Sequence, residues 1–177
     1  MKVKLTAALI ALAAVAASFA FASRSAAQTS KESANGHGTL IVQNDDGEDV
    51  RRQFSFSAQR RPDGTVRGNA VLHNPAFTVD NGQKYQLQID VQCMKVVGNI
   101  AIFGGTTRRT NDPNLVDAVF FSVQDNGEPG KGVDRISRAF FWDDDPTTTG
   151  DPQACLLTGP TDFPLEPIAA GNIQVRQ

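Results

Sequence analysis

The stretch "RRQFSFSAQR", residues 51–60, alternates polar and apolar side chains and decides the fold class. Phe54, Phe56 and Ala58 fall on one face of an extended chain, and the residues between them are polar. A period of two with one apolar face is typical of a β-strand that is buried on one side. The stretch "KYQLQIDVQC", residues 84–93, repeats the pattern, and its apolar face consists of Tyr85, Leu87, Ile89, Val91 and Cys93.

Similar short runs follow one another along the chain, separated by clusters of Gly, Pro, Asn and Asp. "RPDGT", residues 61–65, is one such turn, and no stretch keeps a helical period over ten residues. This pattern predicts an all-β protein, an antiparallel sandwich or barrel of about nine strands, largely a meander. We expect strands at "QACLLTG", residues 153–159, and "GNIQVR", residues 171–176, and a β-bulge or a twist near Met94 and Lys95.

The first 27 residues have the pattern of a secretory signal peptide. Lys2 and Lys4 precede an alanine-rich apolar run, and small residues at 20–22 or 25–27 fit a cleavage site. A retained membrane anchor is the alternative, since the run is about long enough to span a bilayer. The sequence therefore predicts a signal peptide at 1–27, a flexible polar leader at 28–37 that contains His37, and a single β domain at 38–177. We expect a secreted or periplasmic protein.

The charge balance limits the kinds of partner. The formal net charge is −2, and cleavage after residue 27 would remove Lys2, Lys4 and Arg24 and make the chain more acidic. An acidic chain argues against nucleic acid and against anionic membranes. We expect an unknown extracellular or cell-surface partner and, after signal cleavage, no membrane association.

Cys93 and Cys155 are the two cysteines of the chain. In an exported protein an even pair most simply forms one disulfide, here between residues 62 apart in sequence. Closing such a loop contributes about 4 kcal/mol in the chain-entropy estimate. The alternatives are two free thiols or a metal pair, but no histidine lies near either cysteine to complete a zinc site. The alternation places Cys93 on the core face of its strand.

Several motifs resemble the post-COAP domains, small bacterial exported β modules found with choice-of-anchor proteins. The resemblance rests on "GTLIVQ", "RQFSFSAQRRPDGTVRGNAVLHN", "VQCMKVVGNIAIFGG", "FSVQDNGEPGKGVDRIS" and "GNIQV", and it covers residues 38–177. It implies an exported β module, and it transfers no catalytic residues to this chain.

The acidic, glycine-rich loop that contains "DNGEPGKGVD", residues 125–134, has two interpretations. Asp125, Glu128 and Asp134 could contribute carboxylates to a calcium ion. However, their spacing does not match an EF-hand, whereas Asn126-Gly127 between two strong strands favours a hairpin. We therefore predict a hairpin without a metal ion.

The catalytic motifs of common hydrolases are missing. The sequence contains neither Gly-x-Ser-x-Gly nor His-Glu-x-x-His, and His73 has no evident nucleophile beside it. We therefore predict no catalytic residues and no cofactor. If the strands form a meander, loops 44–50, 74–83, 110–114 and 143–152 share one end, which would be an acidic rim or a cation site.

The aromatic residues of "VFFSV" and "AFFW" fall on both faces of their strands. Phe120, Phe140 and Trp142 would form a binding face if they were exposed, unless a segment such as "TDFPLEPI", residues 161–168, covers them. These patterns favour an exported non-catalytic β module with a binding or structural role and an unknown ligand. The alternative is a small-ligand carrier or enzyme that uses an apolar barrel interior, with Arg108 and Arg109 near a strand end.

Overall fold

The computed structural model describes residues 31–44, 46–78, 82–111, 117–127, 133–141 and 150–177. The strands are β1 (Ser33–Gln43), β2 (Asp49–Arg60), β3 (Val66–Thr78), β4 (Lys84–Val97), β5 (Ile100–Thr110), β6 (Ala118–Gln124), β7 (Arg135–Ser137), β8 (Phe140–Phe141), β9 (Leu165–Pro167) and β10 (Ala170–Arg176). They form one antiparallel sheet in the order β10-β1-β2-β3-β4-β5-β6-β7-β9, with β8 paired to β6. The predicted all-β meander is confirmed. The sheet is not closed, so neither a sandwich nor a closed barrel is established.

The sheet curls around an inner aromatic core. The ring of Phe56 on β2 lies 5.4 Å from that of Phe103 on β5 and 6.1 Å from that of Phe121 on β6, between centroids. The rings of Phe103 and Phe121 stack at 4.6 Å. Because β2 is not adjacent to β5 or β6 in the sheet, these contacts require the sheet to bend back on itself. The side chains that the alternation places inside are buried: Phe54, Phe56, Leu87, Ile89 and Phe121.

A β-bulge reverses the direction of side chains along β4. Val91 pairs with Gly105 and Cys93 pairs with Gly104, so Gln92 is the extra residue. Met94 is therefore turned into the inner core, whereas Cys93 lies on the outer side of the sheet. The sequence predicted a bulge or a twist near Met94 and Lys95, and a bulge is present about two residues earlier, at Gln92. Because the alternation breaks there, the expectation that Cys93 shares the face of Val91 is wrong, and Cys93 is buried on the outer side instead.

A second, smaller core lies on the outer side of the sheet. It is covered by residues 150–164, which we call the strap. Phe163 of the strap packs against Phe120 at 6.3 Å and Phe140 at 5.2 Å between ring centroids. The strap contains a 3-10 helix, Pro152–Leu156, where the sequence predicted a strand. The side chain of Asp151 accepts a hydrogen bond from the Gln153 amide, and this cap with the proline after it favours the helical turn.

The first strand begins earlier than predicted. Ser33 to His37 lie in β1 and pair with both β2 and β10, so the predicted leader at 28–37 is wrong for these residues. Gly36 and Gly38 explain the missing apolar signal, because a Cβ there would meet the rings of Phe56 and Phe54 within 3.0 Å. The aromatic rings of β2 thus occupy the space that apolar side chains of β1 would have filled. The predicted signal peptide at 1–27 lies outside the described residues.

The described chain contains no helix with the length and apolar character needed to cross a membrane.

Candidate functional site

The loop after β6 forms the predicted hairpin. Val123 and Gln124 of β6 pair antiparallel with Ile136 and Arg135 of β7, which confirms that these strands are partners. Gly127 has a φ of 104°, a conformation that favours glycine, and its amide donates to Asp125 Oδ1 at 2.9 Å.

Asp125 and Asp134 hold the free edge of β10. Asp134 is buried; its Oδ1 accepts a hydrogen bond from the Asn126 amide at 2.9 Å, and its Oδ2 accepts one from the Ile173 amide at 2.8 Å. Asp125 Oδ2 accepts from the Val175 amide at 3.0 Å. The two carboxylates therefore take the place of a neighbouring strand, because they satisfy edge amides that would otherwise have no acceptor.

Asp125 and Asp134 are two of the three residues that the sequence offers as calcium ligands. Each of the two carboxylates accepts backbone amides on both oxygens, and Glu128 lies outside the described residues. Within the described chain, no group of three or more His, Cys, Asp or Glu side chains is arranged to hold a metal ion.

A charged cluster lies at the end of the inner core. Arg52 is buried, and its Nη2 lies 3.4 Å from Glu166 Oε2 without making a hydrogen bond. The other oxygen of Glu166 accepts from Arg138 Nε at 2.8 Å. Burial lowers the pKa of the Arg52 guanidinium, Glu166 opposes this effect, and Arg138 adds to it. One carboxylate shared by two guanidinium groups is a structural ion-pair network at a partly enclosed position.

The strap is fastened to β4 by covalent and polar contacts. The predicted disulfide between Cys93 and Cys155 is present. Lys95 Nζ donates to the carbonyl oxygens of Leu156 at 3.0 Å and Thr158 at 2.7 Å. These contacts hold the 3-10 helix over the outer core.

The strap covers part of the aromatic set that was weighed as a possible binding face. Phe120 is 1% exposed, so it does not belong to an exposed face, and the alternative of a covering segment holds for this residue. The segment at 161–168, weighed as a cover from the sequence, supplies Phe163 to this contact. Phe140 is half-buried against Phe163, and Trp142 lies outside the described residues.

His73 lies on the outer side of β3. Its neighbours across the adjacent strands are Gln53 and Gln86, neither of which is a nucleophile. His37 is exposed on β1, opposite Ser55. Tyr85 packs against the inner core, which is filled by the aromatic side chains of β2, β5 and β6.

The strap leaves uncovered the outer side of β2 and β3, of β4 up to Gln92 and of β5 from Thr106, and this surface is basic and polar. We call it the outer face and define it by the outward-pointing residues of these segments. Its charged members are Asp49, Arg51, Arg67, Lys84, Asp90, Arg108 and Arg109, so basic side chains outnumber acidic ones by five to two. A shallow groove of about 550 Å³ crosses this face and is lined by Ser57, Arg67, Asn69, Gln88, Asp90 and Arg108.

A second bulge shapes one edge of the outer face. Gln88 pairs with Arg109 and Ile89 pairs with Thr107, so Arg108 is the extra residue of β5. Arg108 and Arg109 are both exposed, and Arg108 Nη1 lies 3.7 Å from Asp90 Oδ1. The bulge thus concentrates positive charge beside the groove.

The sequence interpretation missed this face because it used the net charge of the whole chain. The available signal was the polar half of the alternation in residues 51–60 and 84–93, combined with the basic residues of the neighbouring strands.

The fold and the outer face define a class: a single-sheet, antiparallel β protein with a disulfide-fastened strap and an open basic surface. Comparisons with protein-family models, characterised proteins and solved structures found no significant match to the chain. The resemblance to post-COAP domains therefore stays a hypothesis.

Proposed function

We propose that this chain is an exported, non-catalytic β module that binds a partner outside the cell through its outer face. The observation that carries the proposal is the set of polar side chains on that face that have no partner in the described chain. Arg51, Arg67 and Arg109 make no ion pair there, and Ser57, Asn69 and Gln88 make no side-chain hydrogen bond. Polar groups so arranged are available to a ligand.

Export is supported by the signal-peptide pattern and by the disulfide, because disulfides persist in oxidising compartments. A small-ligand carrier or an enzyme with an apolar interior has less support. Such a protein would need space between β2, β5 and β6, and stacked phenylalanine rings occupy that space.

Association with washed envelope material from the producing cells tests the proposal. We expect the mature protein to co-sediment with the envelope, and the variant Arg67→Gln with Arg108→Gln to remain in the supernatant. Arg135→Gln with Arg176→Gln is the charge-matched control, since both residues are exposed on strands outside the outer face. Absence of association, or equal association of the face variant and the control, would contradict the proposal.

A further inference from the structure

We propose that the ligand of the outer face is an acidic polysaccharide, a polymer whose sugar units carry both hydroxyl groups and carboxylates. This inference rests on the function proposed above and specifies the partner.

The shape of the face suits an extended polymer. Ser57, Asn69, Asp90 and Thr106 form one row across β2, β3, β4 and β5, because they pair in register from strand to strand. Ser55, Val71, Gln88 and Arg109 form the next row. Neighbouring strands lie about 4.8 Å apart, and successive outward residues lie about 6.6 Å apart along a strand. Such a grid offers repeated contacts to an extended polymer, but it does not enclose a compact ligand.

The charge of the face selects an anionic ligand. Arg108 Nη1 lies 3.7 Å from Asp90 Oδ1, and the two side chains are 66% and 50% exposed, respectively. Arg51, Arg67 and Arg109 have no acidic partner in the described chain. A guanidinium group binds a carboxylate through two parallel hydrogen bonds, so these arginines are suited to carboxylates spaced along a polymer.

The amide and hydroxyl groups add a second requirement. Ser57, Asn69 and Gln88 lie between the arginines and can both donate and accept hydrogen bonds, which matches sugar hydroxyls. A ligand with carboxylates alone would leave them without partners.

A nucleic acid fits the face less well. Proteins that bind single-stranded nucleic acids stack the bases on aromatic side chains. The phenylalanine and tyrosine side chains described on β2–β5 are turned into the inner core: Phe54, Phe56, Tyr85 and Phe103. Among the described residues of the outer face, His73 is the single ring on which a base could stack.

Binding of the mature protein to polygalacturonate, measured by calorimetry, tests the inference. We expect binding that weakens as salt is raised, because exposed charges are screened. Methyl-esterified polygalacturonate keeps the hydroxyls but loses the negative charges, and we expect it to bind about tenfold more weakly or not at all. Arg67→Gln with Arg108→Gln should weaken binding about tenfold, since each exposed ion pair contributes up to about 1 kcal/mol. Arg135→Gln with Arg176→Gln should change it less than about twofold.

A second variant separates the hydroxyl contacts from the charge. Asn69→Ala with Gln88→Ala should weaken binding to polygalacturonate but leave any binding to poly-L-glutamate unchanged. Melting curves of every variant confirm that the fold is kept. Loss of binding in the arginine variant but not in the amide variant would show a ligand without hydroxyl recognition and would overturn the inference.

The remaining outcomes distinguish the inference from the proposed function. If poly-L-glutamate or single-stranded DNA binds as tightly as polygalacturonate through the same arginines, the polysaccharide assignment is wrong and the binding face stands. If none of these polymers binds, but envelope association still depends on Arg67 and Arg108, only the ligand class is wrong. If envelope association is also independent of these arginines, both proposals fail.

Discussion

At the scale of single residues, Asp125 and Asp134 belong to an acidic, glycine-rich loop. Such a composition is compatible both with a cation site and with a turn, and residues 125–134 alone do not decide between them. The deciding fact is the register of β10, which brings the amides of Ile173 and Val175 to the two carboxylates. Contacts made 39 and 50 residues apart in sequence leave no local signal.

We expect Asp134→Ala to lower the free energy of unfolding by about 2–4 kcal/mol. The substitution leaves two backbone amides, of Asn126 and Ile173, without their acceptors at a buried position. Thermal or denaturant unfolding measures the loss.

Asp63→Ala is the matched control, because Asp63 also accepts two hydrogen bonds, both from Thr65, but is fully exposed. We expect it to have the smaller effect. Equal losses in the two variants would show that Asp134 does not hold the edge of β10 in solution.

At the scale of elements, the sequence predicted strands where polar and apolar residues alternate and failed where another contact replaced the pattern. β2 and most of β4 were predicted because apolar residues alternate along their inner faces, from Phe54 to Ala58 and from Tyr85 to Val91. The start of β1 was missed because Gly36 and Gly38 make room for rings from β2. Residues 153–159 of the strap were predicted as a strand, but Ala154 and Cys155 pack against the outer core whereas Leu156 and Leu157 are exposed, which a local period does not reveal.

We expect Cys93→Ser with Cys155→Ser to destabilise the protein by about 2–4 kcal/mol and to loosen the strap. Hydrogen exchange of the Gly150, Ala154 and Leu157 amides should accelerate more than exchange within β4 and β5. The Gly150 amide donates to Asp117 Oδ1, and the amides of Ala154 and Leu157 donate to carbonyl oxygens of the strap itself. These hydrogen bonds should therefore open more often when the strap loosens.

Lys95→Met serves as the comparison. It removes the two hydrogen bonds from Nζ to the strap but keeps the covalent link, so a smaller acceleration is expected. If the strap amides of the double serine variant exchanged no faster than those of the intact protein, the disulfide would not be what holds the strap.

At the scale of the whole molecule, the two sides of the sheet have different uses. The inner side is filled, the strap covers the outer side around Cys93, Ile102 and Phe120, and the outer side of β2, β3 and the adjoining ends of β4 and β5 is left open. The chain is acidic overall, yet the open surface is basic. The net charge of a chain excludes partners reliably only when its charges are evenly spread over the surface. Here strand pairing gathers basic side chains on the outer face. The fold class followed from local alternation, but this surface depends on the register of four strands.

The most direct test of the account maps where a ligand binds. The protein, labelled for nuclear magnetic resonance, is titrated with oligogalacturonate while the backbone amide shifts are followed. We expect the perturbed amides to cluster on the outer face around Ser57, Asn69, Gln88 and Arg108, with little change in the inner core. Perturbations centred on Phe54, Tyr85 and Phe103 would instead place the ligand inside the curled sheet and contradict the account.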